Sequence, residues 1–253
     1  MKNKIQFHDL GLQRYKEAWD LQEHLLKKNV AAKLSANSQP SMRNPAFVGA
    51  GEKRETRNYL LFVEHPPVYT LGKNGKETNF LLTKKEAAEK GIEYFHINRG
   101  GDITFHGPQQ LVGYPIFDLD KFKPDLGWYL RSLEEVIILT LAEYGLQGER
   151  SKGETGVWLD ANIHDKARKV SAMGIRCSRW ITMHGFALNV NTDLSYFNYI
   201  VPCGIQNKQV TSLQKELNKK IEMVEVKKKV LLNFQKVFEA EIIESETSAL
   251  INL

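Results

Sequence analysis

The sequence predicts an α/β (α+β) fold, a mixed sheet with flanking helices, and three observations predict it. Tyr59-Leu60-Leu61-Phe62-Val63 is a continuous apolar run, the pattern of a strand covered on both faces. Short apolar segments of similar length recur at 92–97, 103–105, 111–117, 157–159, 169–176 and 183–190. Among and beyond them, longer stretches carry apolar residues at helical spacing. Strands interleaved with helices bury their apolar faces against one another, which gives a layered mixed core. A chain of 253 residues is long enough to bury such a core without disulfides or metals.

The elements follow in order. Residues 5–8 read as a short strand, and Tyr15, Ala18, Trp19, Leu25 and Leu26 mark a helix after it. Residues 31–57 break the pattern with Ser, Asn, Pro and Gly and then the charged run Glu52-Lys53-Arg54-Glu55, so they are expected to be a loop or disordered insert. Pro66-Pro67 ends the apolar strand and residues 68–71 resume it. Thr83 and Glu86 form a capping box, because the threonine hydroxyl can accept from a free N–H of the first turn while the glutamate reaches back. Gly91 is placed to end that short helix. Leu130, Leu133, Ile137, Leu141 and Tyr144 line one face of a long helix. The last element is the most periodic, with Val226, Val230, Phe234, Val237 and Phe238 on one stripe. The expected organisation is a main α/β domain over residues 1–205, with a helical appendage over residues 206–253 packed on the same domain.

Composition narrows the class of protein. The chain carries 35 Lys and Arg against 30 Asp and Glu, for a net charge of +5. That balance suits either an acidic partner or a lysine-rich solvated surface. Two cysteines, Cys177 and Cys203, do not make a disulfide framework, and a reducing compartment is expected. No signal core follows the first lysines, and no apolar run approaches the ~20 residues that span a bilayer. The expected location is the cytoplasm. His96, His106, His164 and His184 show no zinc-binding spacing, and no metal is expected.

Cys203 stands between Pro202 and Gly204, on a stiff and open backbone where a carbonyl can approach. A free thiol has a pKa of about 8.5, so a nearby ammonium that stabilises the thiolate makes it a nucleophile. Lys169 precedes Val170, Ala172 and Met173, and partial desolvation there would lower its own pKa and suit it to proton exchange. Read singly, the pair is equally a small buried cysteine and a solvated lysine at a strand end. Cys177, between Arg176 and Ser178 at an expected turn, lacks the framing that sets Cys203 apart.

Gly100-Gly101 allows a sharp turn and a close approach of backbone N–H groups to a ligand. Thr104 and His106, two apart on a strand, share a face beside that turn. The plain alternative is a hairpin turn with a satisfied histidine. The Gly-Lys-Ser/Thr ending of a nucleotide-binding loop is absent. His184, just before an apolar strand, is either structural or a supporting residue.

Taken together and in order, five motifs resemble the lipoyl(octanoyl) transferase family, the octanoyl-[acyl-carrier-protein]:protein N-octanoyltransferases. They are residues 64–72 (Glu-His-Pro-Pro-Val-Tyr-Thr-Leu-Gly), 99–110, 169–176, 184–191 and Pro202-Cys203-Gly204, and the match spans roughly residues 58–215. The resemblance implies a fold like that of biotin- and lipoate-protein ligase catalytic domains. It implies an acyltransferase in which Cys203 forms an octanoyl thioester and Lys169 lowers its pKa. It places Arg99, Gly100, Gly101, Asp102, Ile103, Thr104, Phe105 and His106 at the acyl site, with Ala172, Met173, Gly174, Gly185, Phe186 and Ala187. The implied donor is octanoyl-acyl carrier protein. The implied acceptors are lipoyl domains of 2-oxoacid dehydrogenases and the glycine cleavage H protein, with no cofactor, nucleic acid or membrane. No ATP is implied, because a thioester donor is already activated. Gln109 stands where the family usually has glycine, which predicts a less tight turn after Pro108.

Three other readings share some of these features. An ATP-dependent lipoate- or biotin-protein ligase would use the same fold without needing Cys203. An amidotransferase moving octanoyl between lipoyl proteins would use a cysteine with a different donor. A non-catalytic effector-binding module or a basic nucleic-acid binder would use the pocket or the charge alone, and salt-dependent binding would mark the latter.

Overall fold

The computed structural model describes residues 2–37, 55–201, 209–245 and 250. The chain runs β1 (Asn3–Leu12), α1 (Tyr15–Asn37), β2 (Asn58–Glu64), β3 (Val68–Leu71), α2 (Lys84–Glu89), β4 (Glu93–His96), β5 (Ile103–His106), β6 (Gln110–Ile116) and α3 (Leu126–Ala142). It continues through β7 (Val157–Leu159), β8 (Arg168–Ser178), β9 (Ile181–Asn189), β10 (Gln209–Val210), α4 (Leu213–Leu217), α5 (Met223–Val237) and β11 (Ala240–Glu244).

Eight of these strands form one sheet in the order β10-β8-β9-β6-β2-β1-β11, with β7 also paired to β8. The sheet is mixed: β1 runs parallel to β2 and β11, while β2, β6, β9 and β8 alternate antiparallel. A smaller sheet, β4-β3-β5, stands beside it.

The apolar run in β2 is explained by burial on both faces. Leu60 and Phe62 pack with Leu133, Ile137, Val230 and Phe234 of α3 and α5. Tyr59, Leu61 and Val63 pack on the other face with Ala18, Leu25 and Leu26 of α1. Because side chains alternate across a strand, both sets must be apolar once helices cover both sides. The Thr83–Glu86 capping box is present in full, and α2 gives way to Gly91 at φ +68°.

Two expectations are corrected. Residues 31–37 are not loop, because α1 continues to Asn37. Ala31, Ala32, Lys33 and Leu34 are good helix formers, and tertiary contacts hold the extension. The Lys33 ammonium lies 2.6 Å from both Asp118 and Asp120. Asn29 brackets the peptide at Arg57, accepting from its N–H at 2.9 Å and donating to its carbonyl at 2.8 Å. The remainder of the expected insert, 38–54, lies outside the described residues. The C-terminal part is also not a helical appendage. β10 and β11 complete the main sheet, and Val226, Val230 and Phe234 of α5 enter the central core. Pairing of Ala240–Glu244 with β1 covers what would be a bare edge.

Candidate active site

Register brings the separated motifs together. β8 and β9 pair antiparallel so that Ala172 faces Ala187, Met173 faces Phe186 and Gly174 faces Gly185. The two expected acyl-site segments are thus opposite each other, residue by residue. The glycine turn docks against the same place: the Gly100 N–H donates to the Ile175 carbonyl at 2.9 Å. A side chain at Gly174 would put its Cβ 2.8 Å from the Gly100 carbonyl oxygen, so only glycine permits this approach. Gly101 turns the chain at φ +89°, a conformation that L side chains rarely adopt.

These segments enclose a cavity of about 100 Å³. Its apolar wall comes from Ile103, Ala172, Met173, Phe186, Ala187, Phe197 and Val210. Arg99, Asp102, Thr104, His106, Thr155 and Lys169 supply polar groups, and Gly101, Gly174, Gly185 and Tyr15 complete the lining. A long apolar wall with few polar groups suits an alkyl chain ending in a polar function.

Arg99 and Asp102 brace the turn as well as line the cavity. The Arg99 guanidinium donates to the Thr70 carbonyl at 2.8 Å, the Thr70 hydroxyl at 3.0 Å and the Gly100 carbonyl at 3.0 Å. Asp102 accepts from its neighbour's N–H, that of Ile103, at 2.7 Å and from the Asn79 side chain at 2.7 Å. Thr104 and His106 do share one face of β5 towards the cavity. Burial pushes the His106 imidazole down to about 3, helped by the nearby His65, so the ring is neutral.

Lys169 is half-buried where three strands meet. On β8 it pairs with Trp158 of β7 and Val210 of β10. Its ammonium sits 4.5 Å from the centre of the Trp158 ring. Cys177 lies eight residues further along β8, about 26 Å at strand rise. It is half-buried, is not among the residues lining the cavity, and burial raises its thiol pKa. Cys203 lies outside the described residues, as do its neighbours from 202 to 208. The described residues on either side are tied to the cavity, one through a hydrogen-bonded neighbour and one directly. Val201 donates its N–H to Asn79, which holds Asp102. Val210 lines the cavity, and the Thr211 N–H donates to the Lys169 carbonyl at 2.9 Å.

Three expected site residues are not in the lining. Phe105 turns to the other face of β5, where its ring stacks on Tyr196 at 4.6 Å between centroids. Gly100 acts through its backbone bond to β8. His184 is buried beside α1, its N–H donating to Gln22 at 2.9 Å, and its φ of +58° marks a bend in β9. Gln109, at φ +62°, occupies the left-handed region that favours glycine. The turn there is nonetheless closed, because Gly107 accepts from Gln110 and the Gln109 carbonyl accepts from Asn191 and Thr192.

Tyr15, Thr155, Phe197 and Val210 line the cavity without having been anticipated. Tyr15 reads in sequence as one more apolar helix position. Only the fold shows its ring stacked on His106, 5.9 Å away and 9° from parallel.

The lipoyl protein ligase A/B catalytic domain matches residues 14–235. The octanoyltransferase of Christiangramia forsetii is 54% identical over 243 residues, 96% of this chain and 99% of that protein. The octanoyltransferase of Flavobacterium johnsoniae is also 54% identical, over 96% of this chain and 100% of its own. This chain belongs to the octanoyltransferase family. Solved lipoate ligases share the fold at much lower identity. A bipartite lipoate protein ligase from Thermoplasma acidophilum covers 100% of this octanoyltransferase-family chain and 91% of its own, at TM-score 0.62 and 14% identity. A lipoate-protein ligase A bound with ATP gives a TM-score of 0.65 at 14% identity, covering 100% of this chain and 93% of its own. The match to the family domain begins 44 residues before the stretch of motifs that first suggested it and ends 20 residues after it (58 − 14 and 235 − 215). It therefore takes in α1 and all but the last two residues of α5.

Proposed function

We propose that this chain moves an octanoyl group from octanoyl-acyl carrier protein to a lysine of lipoyl domains through a thioester on Cys203, in the cytoplasm. The observation that carries the reading is Lys169 in the wall of an apolar cavity, strand-paired with Val210 just past the segment that holds Cys203. The family supplies octanoyl transfer, and the cavity has the lining that such a chain requires. Each CH₂ buried there contributes about 0.8 kcal/mol to holding it.

In the first half-reaction the Cys203 thiolate attacks the donor thioester carbonyl. The new carbon–sulfur bond forms, the old one breaks, and the carrier leaves as a thiol. In the second, the acceptor lysine nitrogen attacks the enzyme thioester, the amide forms and the cysteine is released. Lys169 favours the thiolate by its charge and exchanges protons with the leaving group. Both half-reactions are downhill or balanced without ATP, because the donor carries its own activation. The identity of 54% to octanoyltransferases, against 14% to a lipoate-protein ligase A bound with ATP, favours this reading over adenylate chemistry.

The test is intact-mass spectrometry after mixing the protein with octanoyl-acyl carrier protein without ATP or Mg²⁺. One octanoyl adduct is expected, mapping to Cys203 and absent from Cys203→Ala. An adduct on Cys177, an unimpaired Cys203→Ala protein or an absolute need for ATP would each overturn the assignment.

A further inference from the structure

One buried chain of hydrogen bonds ends at the cavity, and its direction can be worked out from its anchors. The Asn189 side-chain nitrogen donates to the Thr211 carbonyl at 3.0 Å. A carbonyl only accepts, so the Asn189 amide is fixed with its oxygen on the other side. That oxygen accepts from the Gln110 side-chain nitrogen at 2.8 Å, and the same nitrogen donates to the Phe105 carbonyl at 3.2 Å. Gln110 therefore has only its oxygen left for His106, whose Nδ1 lies 2.9 Å away. An oxygen acceptor requires an N–H, so the His106 ring carries its proton on Nδ1. All four residues are buried, and two backbone carbonyls anchor the chain, so neither amide can flip without orphaning a buried group.

The other ring nitrogen is then a bare lone pair. Nε2 is neither bonded by a described residue nor sealed from solvent, and His106 lines the cavity. Tyr15 stacked on the ring and β5 behind it hold its orientation.

We propose that Gln110 and Asn189 are positioning residues that keep His106 in the Nδ1–H tautomer, so that Nε2 accepts an N–H of the incoming acceptor amine. This rests on the acyl-transfer reading above. His106 would hold the amine without taking its proton, since the buried ring stays neutral. The amine nitrogen is then oriented with its lone pair towards the thioester carbonyl. As the nitrogen–carbon bond forms and the carbon–sulfur bond breaks, the proton lost by the amine ends on the released cysteine thiol. A donor at Nε2, the opposite tautomer, would repel the N–H it should receive.

The experiment has two arms. In the first, long-range ¹H–¹⁵N NMR of the histidines in the wild-type protein reads the tautomer of His106, assigned with His106→Gln. A protonated Nδ1 and an unprotonated Nε2 are expected; a protonated Nε2 overturns the proposal. In the second, Gln110→Met keeps the volume and removes the relay. Transfer from preformed acyl-enzyme to a lipoyl domain should slow about tenfold, the worth of one well-placed hydrogen bond. Acyl-enzyme formation should stay within about twofold of wild type, since a general loss of structure would slow both steps. Equal slowing of both steps, or of neither, overturns it. If the variant does not fold, the wild-type tautomer still decides. If no acyl-enzyme forms on wild-type Cys203, the thioester reading fails, and the tautomer arm separates that failure from this one.

Discussion

The Lys169 ammonium rests on the face of the Trp158 indole, 4.5 Å from its centre, and the two residues are cross-strand partners on β8 and β7. An aromatic face attracts a cation through its quadrupole, so the ring restrains the position of the amine. Trp158 is almost fully buried, which strengthens the attraction by keeping water away. Replacing Trp158 with Leu is expected to slow acylation of Cys203 about fivefold to thirtyfold, the equivalent of 1–2 kcal/mol. Trp158→Phe should retain part of the rate. The rates are to be compared well below each variant's unfolding temperature, because the smaller side chain also leaves a cavity. Equal rates in Trp158→Leu and wild type would show that the ring does not position the lysine.

Lys169 should act through charge rather than packing. Lys169→Met keeps most of the apolar stem and removes the ammonium. The Cys203 thiol pKa should rise, because a cation that favours the thiolate is gone. Each unit corresponds to about 1.4 kcal/mol of lost thiolate stabilisation. The measurement is the pH dependence of Cys203 alkylation by iodoacetamide. The profile should move to higher pH, and raising the pH should recover part of the acylation rate. An unmoved profile with unchanged acylation would make Lys169 a bystander.

The sequence carried the sheet more legibly than its edges. β2 was readable because burial on both faces leaves a continuous apolar run, and the α2 capping box because its two residues must stand three apart. The extension of α1 was not readable. Its last turns are held by contacts 85 residues away, from Lys33 to Asp118, that no local pattern records. β11 escaped for the same reason: it is a strand only because β1 lies beside it. At the site, the Gly100-Gly101 turn and the paired β8 and β9 segments were legible as motifs. Phe105 was assigned to the wrong side because the motif is contiguous while a strand alternates. Applying that alternation to residues 103–106 would have separated it from Thr104 and His106.

Acid should destabilise this fold through its buried histidines. Burial lowers His65 to about 4, with partial opposition from its bond to Gln13, and lowers His106 and His184 to about 3. In the unfolded chain each takes a proton near pH 6.5. The unfolded state therefore binds more protons as pH falls, and stability rises with pH across this window. Stability is expected to be full above about pH 7 and to fall steadily towards pH 4. His184→Asn removes one such group while suiting the left-handed backbone at φ +58°. The slope of the urea midpoint against pH should flatten in that variant between pH 7 and pH 4. An unchanged slope would mean that His184 titrates normally.

Shortening within residues 38–54 should leave transfer activity and stability near wild type, since longer connections cost little closure entropy. Deleting all of 31–57 should not be tolerated. It removes Lys33 and Thr56, and Asp118 is then buried without the ammonium at 2.6 Å and the hydroxyl at 2.7 Å that bond it. A buried carboxylate left, among the described residues, with only the Asp120 N–H at 3.2 Å and no cation costs several kcal/mol, so a loss of about 3 kcal/mol is expected by urea unfolding. A large fall in turnover by a still-folded 38–54 variant would instead give that segment a role in catalysis.

The acyl-chain preference should be set by how far the cavity runs past the β8–β9 pair. Ala172 is half-buried and lines it beside its cross-strand partner Ala187, so the sheet surface there carries only small side chains. Leucine at position 172 adds three heavy atoms to a cavity of only about 100 Å³. The added atoms would occupy space that distal methylenes of an octanoyl chain need. Excluding two methylenes forfeits about 1.6 kcal/mol of burial, a loss of about fifteenfold in kcat/KM for octanoyl transfer. A hexanoyl donor, whose chain stops short of the block, should lose much less. The ratio of octanoyl to hexanoyl kcat/KM therefore reports the geometry independently of any general damage, which would lower both together. The measurement is competition between the two acyl-carrier-protein donors in one reaction, read by mass spectrometry of the acylated lipoyl domain. An unchanged ratio in Ala172→Leu would mean that the chain does not pass over Ala172.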